Sequence, residues 1–135
     1  MSDFSLQPIP ADAFDTWRDL FARYCEFYET DCPDDKARTV WSWLQDPDHP
    51  EEGRFVCQSD RIIGMLHFRA APLTLTGTDV GFVDDLYIDP DARGERAGQD
   101  VAEPLRQIAR EPGWPSLRWL TPRDNCRRRT LYGRL

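Results

Sequence analysis

Apolar and polar positions along this chain follow two different periods, and the switches between them mark its elements. Phe4-Ser5-Leu6-Gln7 alternates with the two-residue period of a strand, ended by Pro8 and Pro10. Phe14, Trp17, Phe21, Tyr24 and Tyr28 then recur at steps of three and four, which places them on one face of an amphipathic helix. Asp12 and Asp15 stand at its start, where the peptide dipole favours negative charge. Asp31-Cys32-Pro33 predicts the start of a second helix, with Val40, Trp41 and Leu44 as its apolar face and Asp46-Pro47 as its stop. The polar, proline-bearing run from Asp46 to Gly53 reads as a surface loop, in which His49 is a solvated histidine.

The pattern then returns to a two-residue period. Segments 54–58 and 61–69 read as a hairpin turning at Ser59-Asp60. In its second strand Met65, His67 and Arg69 share one face and Leu66 and Phe68 the other, which puts His67 close to the cleft, as a satisfied structural histidine or else as a proton acceptor. A polar turn over 74–79 leads into Phe82-Val83-Asp84-Asp85-Leu86-Tyr87-Ile88, a β-branched and aromatic run that predicts a strand. Pro90 and Gly94 end it, and Val101, Leu105 and Ile108 then form a helical stripe. Pro104 falls inside that stripe, where an interior proline costs about 3 kcal/mol; the helix must either kink at Glu103 or be short. Pro112-Gly113 closes it, 117–121 predicts a further strand, and Asp124-Asn125 can cap a last helix carrying Leu131-Tyr132.

Composition narrows the class. With 135 residues, 40% of them hydrophobic, residues 1–135 read as one domain with its own core. The absence of any apolar run of membrane-spanning length, and of a signal-like start at Met1-Ser2-Asp3-Phe4, predicts a cytoplasmic protein with no membrane partner. Cys25, Cys32, Cys57 and Cys126 form no Cys-x-x-Cys pair, so reduced thiols and no metal are expected. The net charge of −7 is unevenly divided: residues 93–135 hold ten Arg and five Asp/Glu, residues 1–92 seven Lys/Arg and nineteen Asp/Glu. The basic part suits a ligand with several phosphates and the acidic part a cationic substrate; no nucleic-acid partner is expected.

The stretch 82–98 carries the chemistry. A strand running through a glycine-bearing turn into a helix makes an anion cradle, because the first helical N–H groups are unpaired and glycine admits an anion to the backbone. This stretch resembles the acetyl-CoA-binding motif of the GNAT acetyltransferases: an acidic pair on a strand, then Arg-Gly-x-Gly-x-Gly opening a helix. Here the turn reads Arg93-Gly94-Glu95-Arg96-Ala97-Gly98, with Arg96 at the place of the middle glycine. With Val83 to Ile88 and the later Asn125…Leu131-Tyr132, the resemblance spans nearly the whole chain and looks like the small, histone-acetyltransferase-like or polyamine-type branch.

The resemblance implies an α/β fold of GNAT acyl-CoA N-acyltransferase type, with a mixed, mostly antiparallel central sheet flanked by helices and the C-terminal strands of relatives missing. It also implies an N-acetyltransferase that uses acetyl-CoA as cosubstrate, without a metal, to acetylate a primary amine of a small molecule or protein by direct attack. By resemblance, the backbone of Leu86, Tyr87 and Ile88 pairs with the pantetheine arm and supplies the oxyanion donor. Arg93, Gly94, Glu95, Arg96, Ala97 and Gly98 meet the pyrophosphate, and Asn125 meets the pantetheine. Tyr132 is the acid beside the coenzyme sulfur. Asp84 helps deprotonate the amine, often through water, while Asp85 supports the fold. As neighbours on a strand the two aspartates are expected to point to opposite faces, so that only one meets the amine. Tyr24, Glu26 and Tyr28 are candidates to line the acceptor cleft.

Arg96, Pro104, Arg128 at a usually small position and the end at Leu135 describe an alternative, a degenerate domain that binds acyl-CoA weakly or serves as an interaction module. An uncovered 117–121 strand also predicts self-association, as a homodimer or larger species.

Overall fold

The computed structural model describes residues 4–92 and 100–118. Its elements are β1 (Phe4–Pro8), α1 (Phe14–Phe27), α2 (Asp34–Gln45), β2 (Glu52–Gln58), β3 (Arg61–Leu73), β4 (Thr78–Ile88), α3 (Ala102–Arg110) and β5 (Leu117–Arg118). The five strands form one sheet in the order β1-β2-β3-β4-β5. Each neighbouring pair is antiparallel except β4–β5, which is parallel at Gly81 and Phe82 and joined by a crossover that includes α3. The mixed, mostly antiparallel α/β sheet expected from the sequence is therefore present.

Alternation along the strands builds a separate core on each face. Val56, Ile63, Leu66, Phe68, Val83 and Ile88 pack with Val101, Ala102, Leu105 and Ala109 of the α3 segment, and with Leu117. On the opposite face Phe55, Cys57, Met65 and Tyr87 receive Trp17, Leu20, Phe21 and Cys25 of α1 and Ala37 of α2. The aromatic stripe of α1 is buried through Cys25, whereas Tyr28 sits past the last turn and is exposed.

Three local details depart from, or decide between, the expectations. Pro104 is the third residue of α3, and the helical path is interrupted at Val101, between helical Asp100 and Ala102, so the chain breaks just ahead of the proline instead of running through it. His49 is not simply solvated: its ring stacks on Trp43 at 5.0 Å and 3°, and its Nδ1 accepts the Glu51 N–H at 3.0 Å. Gly64 pairs with Ile88 across β3–β4, and a Cβ there would collide with the Tyr87 carbonyl oxygen, so only glycine lets the strands approach.

Candidate active site

The register of β4 fixes the site. His67 pairs with Asp85 but Phe68 with Val83, so Asp84 is an extra residue bulged out of the ladder. Alternation is broken at that point. Val83 and Leu86 both pack into the core beneath α3, while Asp84, Asp85 and Tyr87 all lie on the face covered by α1 and α2. The expectation that the two aspartates point to opposite faces is therefore corrected: the bulge turns them to the same side.

Both carboxylates line a pocket of about 220 Å³, together with Glu51, His67 and Arg69, between walls made by Phe21, Val40 and Trp43. Asp84 is held by Arg69, whose Nε donates to Oδ2 at 3.0 Å and whose Nη2 donates to Oδ1 at 3.4 Å. The same guanidinium stacks over Phe82 at 4.7 Å, which fixes its direction.

Asp85 is held differently. The indole N–H of buried Trp17 donates to His67 Nε2 at 2.9 Å. Indole nitrogen can only donate, so Nε2 must accept and the imidazole proton sits on Nδ1. That Nδ1–H donates to Asp85 Oδ2 at 2.8 Å. His67 is 1% exposed and both its nitrogens are engaged, as expected of a satisfied structural histidine. The Tyr24 hydroxyl faces the same carboxylate; burial, followed by the Asp85 charge, raises its pKa above the ordinary phenol value. Of the three residues expected to line the cleft, Tyr24 thus reaches the site, while Glu26 and Tyr28 are exposed at the end of α1.

Glu51, which the sequence did not single out, completes the set. Its side chain is 13% exposed, and Oε1 lies 3.9 Å from Arg69 Nε. Oε2 is buried with no hydrogen-bond partner among the described residues. Burial first, then a hydrogen bond to Asp84 and the charges of Asp84 and Asp85, outweigh Arg69 and push this carboxyl up to about 9. The site therefore gathers three carboxyl groups around one fixed cation, an arrangement suited to seat an ammonium group and move its protons. No group of three or more His, Cys, Asp or Glu among the described residues is arranged to hold a metal ion.

Leu86, Tyr87 and Ile88 follow the bulge on β4 and pair with Leu66, Met65 and Gly64 of β3; on its other side β4 meets described β5 at Gly81 and Phe82. Arg93, Gly94, Glu95, Arg96, Ala97, Gly98, Asn125 and Tyr132 lie outside the described residues, as do Arg128 and most of the 117–121 strand. No described helix is long and apolar enough to cross a membrane.

Comparison with known proteins bears on this geometry. A sequence model of the Acetyltransferase (GNAT) family matches residues 14–135. The chain is 28% identical over 120 residues to the D-amino-acid N-acetyltransferase HPA3 of Saccharomyces cerevisiae, covering 87% of this chain and 74% of that protein. The solved structure of a ribosomal-protein-alanine N-acetyltransferase from Brucella melitensis biovar Abortus 2308 superposes with a TM-score of 0.68 at 24% identity, covering 96% of this chain and 86% of that one. An aminoglycoside acetyltransferase from an uncultured soil metagenomic sample, solved with sisomicin, gives 0.68 at 12% identity, covering 91% and 80%. At these identities the structural likenesses establish the fold.

Proposed function

This chain belongs to the acetyltransferase (GNAT) family, and from that premise we propose that it moves an acetyl group from acetyl-CoA to the primary amine of a cationic acceptor. The observation that carries the reading is the β4 bulge, which turns Asp84 and Asp85 together into one pocket beside Glu51.

Acetyl transfer to an amine poses three problems. An alkyl ammonium with a pKa near 10.4 is almost wholly protonated at neutral pH and has no lone pair to attack with. The tetrahedral intermediate needs its oxyanion stabilised, and the departing thiolate gains from a proton donor. Carboxylates in the pocket answer the first by binding the cation and drawing off a proton. In our reading backbone N–H groups of 86–88 answer the second and Tyr132 the third, with Asn125 on the pantetheine and the 93–98 turn on the pyrophosphate. These assignments rest on the sequence resemblance. Attack is direct, from amine nitrogen to thioester carbon, with no acyl-enzyme intermediate.

The lining charge favours one kind of acceptor. Three carboxyl groups against one arginine that is already paired with Asp84 suit a polyamine or aminoglycoside better than a zwitterion such as a free amino acid. The test is release of free coenzyme A thiol from acetyl-CoA by the purified full chain, with spermidine, an aminoglycoside, a D-amino acid and an alanine-initiated peptide as acceptors. Turnover with spermidine or the aminoglycoside above that with the D-amino acid supports the reading. Absence of turnover with every amine, in protein that binds acetyl-CoA, overturns it.

A further inference from the structure

The two aspartates that the sequence points to are both already engaged, one by Arg69 and the other by His67. The third, Glu51, shares a hydrogen bond with Asp84, yet its Oε2 is buried and has no hydrogen-bond partner among the described residues. A buried acceptor left unpaired is costly, and such groups in a site call for a partner that arrives with the ligand. The geometry points to Glu51 as the proton acceptor of the reaction, seated with Asp84 and Asp85 around the three N–H donors of the acceptor's ammonium group. This rests on the acetyl-transfer reading above and adds to it the residue that takes the proton.

Every charged or titratable group that faces Glu51 fits the role. Asp84 on β4 accepts a hydrogen bond from the neutral carboxyl and, with Asp85, repels its negative charge; Arg69 on β3 offsets part of that, and His67 on β3 is committed to Trp17 and Asp85. From its own loop His49 meets only its backbone N–H, and α2 offers it the uncharged Trp43 wall. Burial and the Asp84 hydrogen bond hold the carboxyl neutral, with its pKa raised to about 9. An arriving ammonium replaces that proton, which leaves to water. Glu51, now charged and flanked by like charges, is a strong enough base to take one N–H proton from the bound cation.

The nitrogen lone pair then forms the C–N bond to the acetyl carbonyl carbon, and the C–S bond breaks as the intermediate collapses. Of the three ammonium protons, one stays in the amide, one passes through Glu51 to water, and one ends on the departing thiol. The sum is ammonium plus acetyl thioester giving amide, thiol and one proton.

The test uses the full chain and a minimal probe, benzylammonium chloride, whose ring suits the Phe21 and Trp43 walls; benzyl alcohol is the neutral control. Calorimetry at pH 7.5 in two buffers of different ionisation enthalpy counts protons exchanged on binding. Wild type is expected to release about one proton per benzylammonium, as linkage requires of a group that ionises on binding. Glu51→Gln should release none, and benzyl alcohol should release none from either protein. With acetyl-CoA and an accepted amine, Glu51→Gln should lower kcat by roughly 10²–10⁴-fold and flatten the rise of rate with pH. Equal proton release by the two proteins, or wild-type turnover and pH profile in Glu51→Gln, overturns the assignment. Coenzyme A release with no amine at all, alongside Glu51-dependent proton release, would keep the ammonium seat but overturn the acetyl-transfer reading and the proton-acceptor role with it. Glu51→Gln is near-isosteric, and Glu51→Ala with a cooperative melt guards against misfolding as the cause.

Discussion

The two faces of the sheet are built on opposite terms. Beneath α3 the buried residues among those described are apolar: Leu66, Phe68, Val83 and Ile88 meet Val101, Leu105 and Ala109. Beneath α1 and α2 an aromatic cluster surrounds a buried histidine, and the same face carries Asp84, Asp85, Glu51 and Arg69 at its margin. The first arrangement maximises area removed from water. The second gives up some of that gain to hold polar groups in fixed directions, and one atom, Glu51 Oε2, has no hydrogen-bond partner among the described residues. A buried polar group without a partner calls for an explanation, and a ligand contact is one. The contrast assigns stability mainly to the α3 face and chemistry to the other.

The largest expected effect falls on the first face. Leu105 is fully buried, and Leu105→Ala should cost about 2–5 kcal/mol in a denaturant melt, as large-to-small core changes do. Activity per folded molecule should stay near wild type. Equal loss of both would erase the division.

A smaller effect is expected at the histidine that braces the second face. His67→Phe fills the space but strands the Trp17 N–H and removes the donor to Asp85, at about 1–3 kcal/mol for the buried groups left unpaired. Trp17→Phe in the same background should add less than it does alone, because its partner is already gone; strict additivity in this double-mutant cycle would mean that the two side chains are not coupled.

The smallest effect concerns pH. The Glu51 carboxyl has its pKa raised to about 9 from an ordinary value of 4.5, so its contribution is fully present below pH 4.5 and is lost as pH rises through 9. Wild type should therefore lose melting temperature relative to Glu51→Gln between pH 5 and pH 9. The pocket opens to water, which screens the charge, so a difference on the order of 1 kcal/mol, or a few degrees, is expected. Parallel melting curves across that range would remove Glu51 from the account.

What the sequence disclosed, and what it withheld, follows the range of the interactions involved. Helix faces such as Phe14, Trp17 and Phe21 and strand alternation such as Leu66 and Phe68 are local, and both were legible. So was the acidic pair, because Asp84 and Asp85 sit beside a recognisable turn motif. Their common orientation was not legible, since a bulge is a property of two strands in register and β3 lies 15 or more residues away in the chain. The Trp17–His67 bond joins residues 50 apart, and no spacing announces it. Glu51 sits in a proline-bearing acidic loop that reads as solvent-facing; only the packing of α2 against β2, with Val40 and Trp43 walling the pocket, closes over it. Pro104 left a kink and a short helix both open, and only the fold shows the interruption at Val101, just ahead of it.

The central claim is that the bulged residue turns two carboxylates onto one face and so makes the acceptor site. Deleting Asp84 tests this most directly, because His67↔Asp85 and Phe68↔Val83 would then be consecutive rungs of a regular ladder. Turnover of acetyl-CoA with an accepted amine should be measured per folded molecule, with the folded fraction taken from a melt of the same sample. The account predicts a cooperative melt and at least a roughly hundredfold loss of turnover, the scale of a misplaced proton-transfer group. Turnover within about threefold of wild type in the deleted chain, less than 1 kcal/mol of barrier, would contradict it.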